Sequence, residues 1–153
     1  MSRALLDVNV LLALLWPGHT GHAAAMAWFG KTGRKAWATN PLIQLGVLRL
    51  LTNPTITQGA VSAPAALEVL AGATRHEGHE FWPLDREVTA VLSPISGSLT
   101  GYRQWADALL LEQAAERGGL LVTFDSGLKE LASSSKRGRV LLLDASAPSA
   151  HDA

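Results

Sequence analysis

Short apolar runs alternate along the chain with longer stretches in which apolar residues recur every three or four positions. The short runs predict β-strands over residues 4–6, 35–39, 80–82, 120–124 and 140–143. The longer stretches predict helices over residues 8–15, 22–30, 41–52, 62–72, 88–92, 102–117 and 126–131. Asn40 can cap the third helix, with Pro41 in its first position, and Gly118-Gly119 ends the helix before the fourth strand.

This alternation of strands and helices predicts an α/β fold with three layers, in which helices cover both faces of a central sheet. We expect a mainly parallel sheet of about 4–5 short strands. A length of 153 residues fits one domain, predicted over residues 1–145, and the small, polar residues 146–153 predict a flexible tail.

The amino-acid composition excludes several classes of function. Hydrophobic residues make up 48% of the chain, and 13 basic residues balance 13 acidic ones, which excludes a uniformly basic nucleic-acid coat but permits a local basic patch. The chain has no cysteine, which excludes disulfides, thiolate metal ligands and a cysteine nucleophile. Asp7 and Asn9 interrupt the apolar N-terminal stretch, so we expect no signal peptide, no membrane span and a cytoplasmic location.

Three aspartates are expected to meet at one edge of the sheet. Asp7 and Asp125 each directly follow an apolar strand, which places both at the carboxyl edge, where parallel sheets bind ligands. From Asp107 the predicted helix descends roughly 15 Å, and the next strand climbs back roughly 17–20 Å to Asp125. Gln44, near the start of the helix after the second strand, is expected at the same edge.

Converging carboxylates repel one another unless a cation neutralises them, and Mg²⁺ prefers carboxylate oxygens. Such a site can activate water and stabilise charge on a phosphodiester. The alternative is that Asp7 and Asp125 only cap the helices that follow them and that Asp107 only interacts with its helix dipole. The convergence of all three at one predicted edge favours the metal site.

The chain resembles the PIN-domain proteins, specifically the VapC-type toxins of bacterial toxin–antitoxin pairs. The matching segments are LLDVNVLLAL (5–14), PLIQLGVLRLLTNP (41–54), FWP (81–83), GYRQWADALLL (101–111) and LVTFD (121–125). Their order and spacing extend from residue 4 to about 144. The resemblance implies a PIN-like fold and a dimeric, Mg²⁺- or Mn²⁺-dependent endoribonuclease held inactive by a VapB-like antitoxin. Its RNA substrate would be structured transfer or ribosomal RNA, and its products would carry a 5′-phosphate and a 3′-hydroxyl.

By matching position, Asp7, Asp107 and Asp125 would bind the metal, and Asn9 and Thr123 would orient these acids. The family usually has Glu where this chain has Gln44, which keeps the shape but loses a charge and cannot act as a base. The difference indicates either a natural variant with weakened metal binding or a replacement that tames a toxic enzyme. Ala106 also stands where the family often carries a hydroxyl residue.

Several other features have two interpretations each. Arg49 and Arg103 lie on the helices of Gln44 and Asp107, and Arg103 either faces the substrate phosphate or pairs with Asp107. The His19/His22 and His76/His79 pairs allow zinc, but a helix start and a solvated turn explain them better. Basic clusters at 31–35 and 136–139 could contact RNA, although solvated loops are the favoured interpretation. The five tryptophans could stack bases, but most are expected in the core or an interface.

Two other functions compete with the nuclease. A phosphatase or receiver domain also places Asp at strand ends, but the phosphatase would have a second Asp where this chain has Asn9. A catalytically silent PIN domain would bind RNA or antitoxin without cutting, and Gln44 is the feature that favours it.

Overall fold

The strands form one sheet in the computed structural model of the chain, which describes residues 2–146. The five strands are β1 (Ala4–Leu6), β2 (Trp37–Thr39), β3 (His79–Phe81), β4 (Leu120–Thr123) and β5 (Val140–Leu142). All neighbouring pairs are parallel, and the strand order is β3-β2-β1-β4-β5. The prediction of an α/β fold with a parallel sheet is confirmed.

The helices are α1 (Val8–Leu15), α2 (His22–Lys31), α3 (Pro41–Leu51), α4 (Pro54–Thr57), α5 (Ala63–Thr74), α6 (Val88–Leu92), α7 (Trp105–Glu116) and α8 (Ser126–Ser135). The first five form one packed set, in which α1 contacts α2 and α3, and α3 contacts α4 and α5. On the other side α7 contacts α6 and α8. Parallel strands joined by right-handed crossovers require this division, which covers both faces of the sheet.

The core lies where these helices meet the sheet. Strands β1 and β4 are central, and Leu5, Leu6, Leu121 and Val122 are fully buried in them. Trp37 and Trp82 are also buried, as predicted, whereas Trp105 is 52% exposed and lies outside the core. Among the described residues, no helix is long and apolar enough to cross a membrane.

Several predicted boundaries are wrong for local reasons. Residues 33–35 form a 3₁₀ turn, so β2 begins at Trp37 and not at Lys35. Helix α8 continues to Ser135 because the Ser134 and Ser135 hydroxyls bond the carbonyl of Leu131 one turn back. The short helix α4 was not predicted. Residues 147–153 of the predicted tail lie outside the described residues.

The long helix predicted over residues 102–117 is divided in two. Residues 102–104 form a 3₁₀ turn, and α7 begins at Trp105. The side-chain oxygen of Gln104 accepts hydrogen bonds from the backbone nitrogens of Thr100 (2.6 Å) and Gly101 (3.3 Å). These bonds fix the chain as it enters α7, directly before Asp107.

Candidate functional site

The connections that leave β1 and β4 diverge at the centre of the sheet. The chain passes from β1 to β2 on one side and from β4 to β5 on the other, so the strand order reverses between β1 and β4. In parallel sheets this reversal opens a crevice beyond the carboxyl ends of the two strands. Asp7 follows β1 and Asp125 is the second residue after the end of β4, so both residues lie at this crevice.

Thr123, the last residue of β4, connects the two aspartates. Its hydroxyl donates to Oδ2 of Asp7 at 2.7 Å and accepts from the backbone nitrogen of Asp125 at 3.0 Å. The other carboxylate oxygen of Asp7 accepts from the nitrogen of Val8 at 2.8 Å. Thr123 and Asp7 are both buried, whereas Asp125 is exposed. The Thr123 hydroxyl therefore holds Asp7 in one orientation and fixes the backbone at Asp125.

Both aspartates also cap helices, as the alternative interpretation proposed. Asp7 caps α1 through Val8, and Oδ1 of Asp125 accepts from the nitrogen of Gly127 at 2.8 Å at the start of α8. Capping explains one oxygen of each carboxylate. It does not explain why Asp7 is buried against Thr123 or why Asp107 lies near both acids.

Asp107, in the first turn of α7, interacts electrostatically with the other two acids. Partial burial, followed by the charges of Asp7 and Asp125, raises the pKa of Asp107 to about 6. Burial also raises the pKa of Asp7, with a smaller contribution from the charge of Asp125. The hydrogen bonds from Thr123 and Val8 act in the opposite direction on Asp7. The three acids therefore share a region of negative potential at the crevice.

These donors fit a hard cation better than zinc, because every one of them is an oxygen. Within residues 2–146, however, no three His, Cys, Asp or Glu side chains form a metal ligand set as they stand. The carboxylates are close enough to perturb one another but do not form a closed cage. Water or substrate oxygens would have to complete the coordination, as is usual for Mg²⁺.

Asn9 is the second residue of α1, and its contact with the acids is less direct than that of Thr123. Its Oδ1 faces the backbone nitrogen of Phe124 at 3.5 Å, a long hydrogen bond to the residue between Thr123 and Asp125. Asn9 thus touches the chain that carries Asp125 and makes no hydrogen bond to an acid among the described residues.

Gln44 takes part in a separate polar network on the other side of β1. Its Nε2 donates at 3.0 Å to the hydroxyl of Thr39, the last residue of β2, and that hydroxyl lies 2.8 Å from Nε2 of His79. Burial lowers the pKa of His79, which favours the neutral ring. Because Gln44 donates to Thr39, the hydroxyl proton of Thr39 is free to be donated to the unprotonated nitrogen of His79.

A close helix contact places this network beside the acids. A Cβ added to Gly46 would lie 2.7 Å from Cγ2 of Val8, the residue after Asp7, so the absence of a side chain lets α3 approach the start of α1. Gln44 is two residues before Gly46 in the same helix. Gln44 therefore lies at the predicted edge, although its carboxamide is bonded to Thr39 and to none of the three acids.

A buried amide pair that sequence reasoning missed connects α3 to α7. Asn40 caps α3 as predicted, through a 2.8 Å bond from the nitrogen of Ile43. Its Nδ2 also donates to Oε1 of Gln113 on α7 at 2.8 Å, and Gln113 donates to the carbonyl of Pro83. The pair joins the helix of Gln44 to the helix of Asp107. The sequence offers little that could predict this pair, because the residue type alone does not show whether a glutamine is buried or exposed to solvent.

Arg103 and Arg49 are the two arginines predicted near the site, and Arg103 contacts Tyr102 instead of Asp107. Nε of Arg103 donates to the Tyr102 hydroxyl at 3.1 Å, and its guanidinium lies over the Tyr102 ring. The predicted alternative of an Arg103–Asp107 pair is therefore wrong, since the guanidinium is held by an aromatic side chain. Arg49 is exposed on α3.

The second basic cluster is not a solvated loop throughout. Arg137 forms a two-pronged ion pair with Glu112 on α7, whose side chain is almost completely buried. Arg139 bonds the hydroxyl of Ser2 and the carbonyl of Gly118. The first cluster, Lys31, Arg34 and Lys35, is exposed, as expected.

Both histidine pairs are engaged in structural contacts. Nδ1 of His19 accepts from the nitrogen of Gly21, and Nδ1 of His22 lies 2.6 Å from the carbonyl of Ala13. His76 accepts from the nitrogen of Gly78, and His79 belongs to the Thr39 network. These contacts support the interpretation that did not invoke zinc.

Comparison with known proteins identifies the family. The sequence model of the PIN domain matches residues 4–133. Ribonuclease VapC39 of Mycobacterium tuberculosis is 40% identical over 130 residues, which cover 85% of this chain and 94% of the relative. Ribonuclease VapC38 of the same organism is 40% identical over 140 residues, which cover 92% of this chain and 97% of the relative.

Solved structures agree on the fold. The structure of VapBC2 from Rickettsia felis, bound to a DNA fragment from its promoter, matches 92% of this chain and 98% of the matched chain, with a TM-score of 0.60 and 12% identity. A domain of functionally unknown protein from Methanocaldococcus jannaschii matches with a TM-score of 0.54 and 17% identity, covering 97% and 95% of the two chains. By family model, by curated relatives and by fold, the chain belongs to the PIN domain family, in its VapC group.

Proposed function

We propose that the protein is a Mg²⁺- or Mn²⁺-dependent endoribonuclease and the toxin component of a VapBC-type pair. The observation that carries this proposal is the placement of Asp7 and Asp125 at one crevice, where the Thr123 hydroxyl bonds both residues. Asp107 lies near enough that their charges, together with burial, raise its pKa to about 6. Like charges held together at a sheet crevice are stabilised by a divalent cation. Membership of the VapC group, whose matched relatives are named ribonucleases, supports RNA as the substrate.

Asp7, Asp107 and Asp125 would hold the cation, with Asn9 and Thr123 outside them. When bound, the cation would lower the pKa of a water molecule and offset charge on a phosphodiester. The Thr123 hydroxyl presents Asp7 in a fixed direction and sets the backbone of Asp125, so the Asp7 carboxylate is oriented before it binds a ligand. Arg49 and Arg103 would contact the RNA backbone.

Gln44 is expected to attenuate this activity. A carboxamide supplies a carbonyl oxygen but no charge, and it cannot accept a proton from water at neutral pH. Its nitrogen is already engaged in a hydrogen bond to Thr39. We therefore propose weaker metal binding and slower cleavage than in a chain with Glu at this position.

A VapB-like antitoxin is the proposed inhibitory partner. An apolar cavity of about 360 Å³ lies between α1, α2 and the end of α5, lined by residues that include Leu11, Leu14, Met26 and Phe29. Such a cavity suits the apolar side chains of a partner helix.

We further propose a homodimer that acts in the cytoplasm on structured RNA. Leu45 on α3 and Leu67 on α5, both more than half exposed, support an interface on this side of the molecule.

The second candidate function is a catalytically silent PIN domain that binds RNA or antitoxin without cleavage. The observation that favours it is the bonding of Gln44 to Thr39 in a neutral network. A silent domain would bind RNA without cleaving it, so a measurement of RNA cleavage distinguishes it from the nuclease.

The test is cleavage of total bacterial RNA with added Mg²⁺ or Mn²⁺, comparing the chain with Gln44→Glu and Asp7→Ala. We expect slow, metal-dependent cleavage by the chain, faster cleavage by Gln44→Glu and none by Asp7→Ala. Cleavage by Gln44→Glu alone would identify a disarmed toxin. If neither the chain nor Gln44→Glu cuts RNA, the silent domain is correct and the nuclease is not.

A further inference from the structure

An exposed aromatic cluster lies directly before Asp107. Tyr102 is 78% exposed and Trp105 is 52% exposed, although neither contributes to the core. Exposing two large aromatic rings only three positions apart in sequence has no benefit for the stability of the fold. Arg103 lies between them and places its guanidinium 5.5 Å from the centre of the Tyr102 ring.

Both aromatic residues stand at the entry to α7. Tyr102 begins the 3₁₀ turn over residues 102–104, and Trp105 is the first residue of α7. Asp107 follows Trp105 by two residues, in the first turn of the same helix. The two rings and the Arg103 guanidinium are therefore carried by the segment that leads into the helix of Asp107.

The segment is also held in place before any ligand binds. The Gln104 side chain accepts hydrogen bonds from the backbone of Thr100 and Gly101, which closes the turn on which Tyr102 stands. A fixed aromatic ring loses little conformational entropy when a flat ligand stacks on it.

We propose that Tyr102, Arg103 and Trp105 form a stacking platform for an unpaired base of the RNA beside the phosphodiester that is cut. This inference rests on the proposed function and specifies its substrate as single-stranded or loop RNA. Aromatic rings stack on any base, a guanidinium attracts the phosphate, and single-stranded RNA offers both groups together. The base pairs of a duplex would hide the faces of the bases from the platform.

Binding can be measured separately from cleavage. A fluorescein-labelled, single-stranded RNA of random sequence is titrated with the chain, and fluorescence anisotropy is recorded in Ca²⁺ with Asp7→Asn in the background to prevent cutting. The same RNA annealed to its complement serves as the duplex probe. The variants are Tyr102→Leu, Trp105→Leu and the conservative Tyr102→Phe, and Val88→Ala, which alters an exposed apolar residue of α6, is the control.

We expect each leucine variant to bind single-stranded RNA roughly five- to a hundredfold more weakly, the range typical for loss of one stacking residue. Tyr102→Phe should change binding by less than about twofold, because stacking needs the ring and not the hydroxyl. Val88→Ala should also change binding by less than about twofold, because Val88 lies outside the platform. Duplex binding should be the same in all variants. Thermal melting of each variant checks that an exposed substitution leaves the fold intact.

An unchanged affinity for single-stranded RNA in both leucine variants would overturn the platform. An equal loss for duplex and single strand would also overturn it, because that pattern indicates a general electrostatic effect. If the variants alter sedimentation of the protein without altering RNA binding, this face is a contact between protein chains. Failure of the proposed nuclease gives a different result: no cleavage by Gln44→Glu with RNA binding that still depends on Tyr102.

Discussion

Two threonines end the strands on either side of β1, and they sit in opposite electrostatic surroundings. Thr123, at the end of β4, donates to the carboxylate of Asp7 and accepts from the backbone of Asp125. Thr39, at the end of β2, accepts from the carboxamide of Gln44 and contacts the ring of His79. Both threonines are completely buried. We name the first group the acidic network and the second the neutral network.

The comparison shows that the same hydroxyl at the same place in a sheet can serve two purposes. In the acidic network it stabilises a charge that burial disfavours, since burial raises the pKa of Asp7 and the bond from Thr123 counteracts this. In the neutral network it satisfies two polar groups that carry no charge and so holds Gln44 in place. The charge of the partner, rather than the threonine, decides which side of the crevice can attract a cation.

Removing the charge at the centre of the acidic network should have the largest effect. In Asp7→Asn we expect RNA cleavage to fall to background, because the residue that would bind the cation becomes neutral while its shape is retained. Thermal stability should be equal to or higher than that of the parent, since a buried carboxylate is removed. Residual cleavage at more than a small fraction of the parent rate would place the active acids elsewhere.

Matched substitutions of the two threonines test the comparison directly. We expect Thr123→Val to lower Mn²⁺ affinity or cleavage about 10- to 100-fold, the usual effect of removing a group that orients a metal ligand. Thr39→Val should change Mn²⁺ affinity much less. Each variant leaves buried polar groups unpaired, so both should lose roughly 1–3 kcal/mol of unfolding free energy. Equal effects on Mn²⁺ affinity would show that the two networks do not differ in function.

Adding a charge to the neutral network should make it resemble the acidic one. In Gln44→Glu we expect Mn²⁺ affinity and cleavage to rise by about tenfold. The new carboxylate should also raise the pKa of His79, because an opposite charge now lies across Thr39. NMR titration of the His79 ring measures this second effect independently of activity. A Gln44→Glu chain with unchanged metal affinity would mean that position 44 does not reach the cation.

The pH dependence of stability gives the smallest effect. The pKa of Asp107 in the folded chain, about 6, lies above the unfolded value of 3.8, so the folded state binds more protons between these values. Stability from this group is present below pH 4 and is lost as pH rises through 6. For this half-buried carboxyl we expect a loss of about 1 kcal/mol after allowance for solvent screening.

Urea unfolding of the metal-free chain at a series of pH values measures this loss. Asp107→Asn should be more stable than the parent at pH 7 and about equal to it at pH 4. The reverse pattern, with the parent gaining on the variant as pH rises, would show that a positive group faces Asp107 and not Asp7 and Asp125.

Local and topological signals explain why so much of this could be predicted from sequence. The acids directly follow apolar strands, and alternating strands and helices require a parallel sheet, so their meeting at one edge is a consequence of topology. Asn40 followed by Pro41 has one favourable local structure, and the cap is present as predicted.

What could not be predicted depends on side-chain partners distant in sequence. Thr39 and His79 are 40 residues apart, and Asn40 and Gln113 are 73 apart, so no periodicity connects them. The spacing of Arg103 and Asp107 left two alternatives open, a contact with the substrate phosphate and a pair with Asp107. The 3₁₀ turn over residues 102–104 and the bond from Arg103 to Tyr102 argue against the pair. The extension of α8 over three serines was missed because serine usually favours helix ends, and here its hydroxyls bond the preceding turn.

The most direct test is calorimetric titration of Mn²⁺ into the metal-free chain and into Asp7→Asn at pH 6, in two buffers that differ in ionisation enthalpy. If the three aspartates together bind a cation, the chain will bind Mn²⁺ saturably and release protons, because Asp107 is partly protonated at this pH. Asp7→Asn will lose both signals. Saturable binding that is equal in the chain and in Asp7→Asn, or no binding by the chain at all, would contradict a metal centre at this crevice.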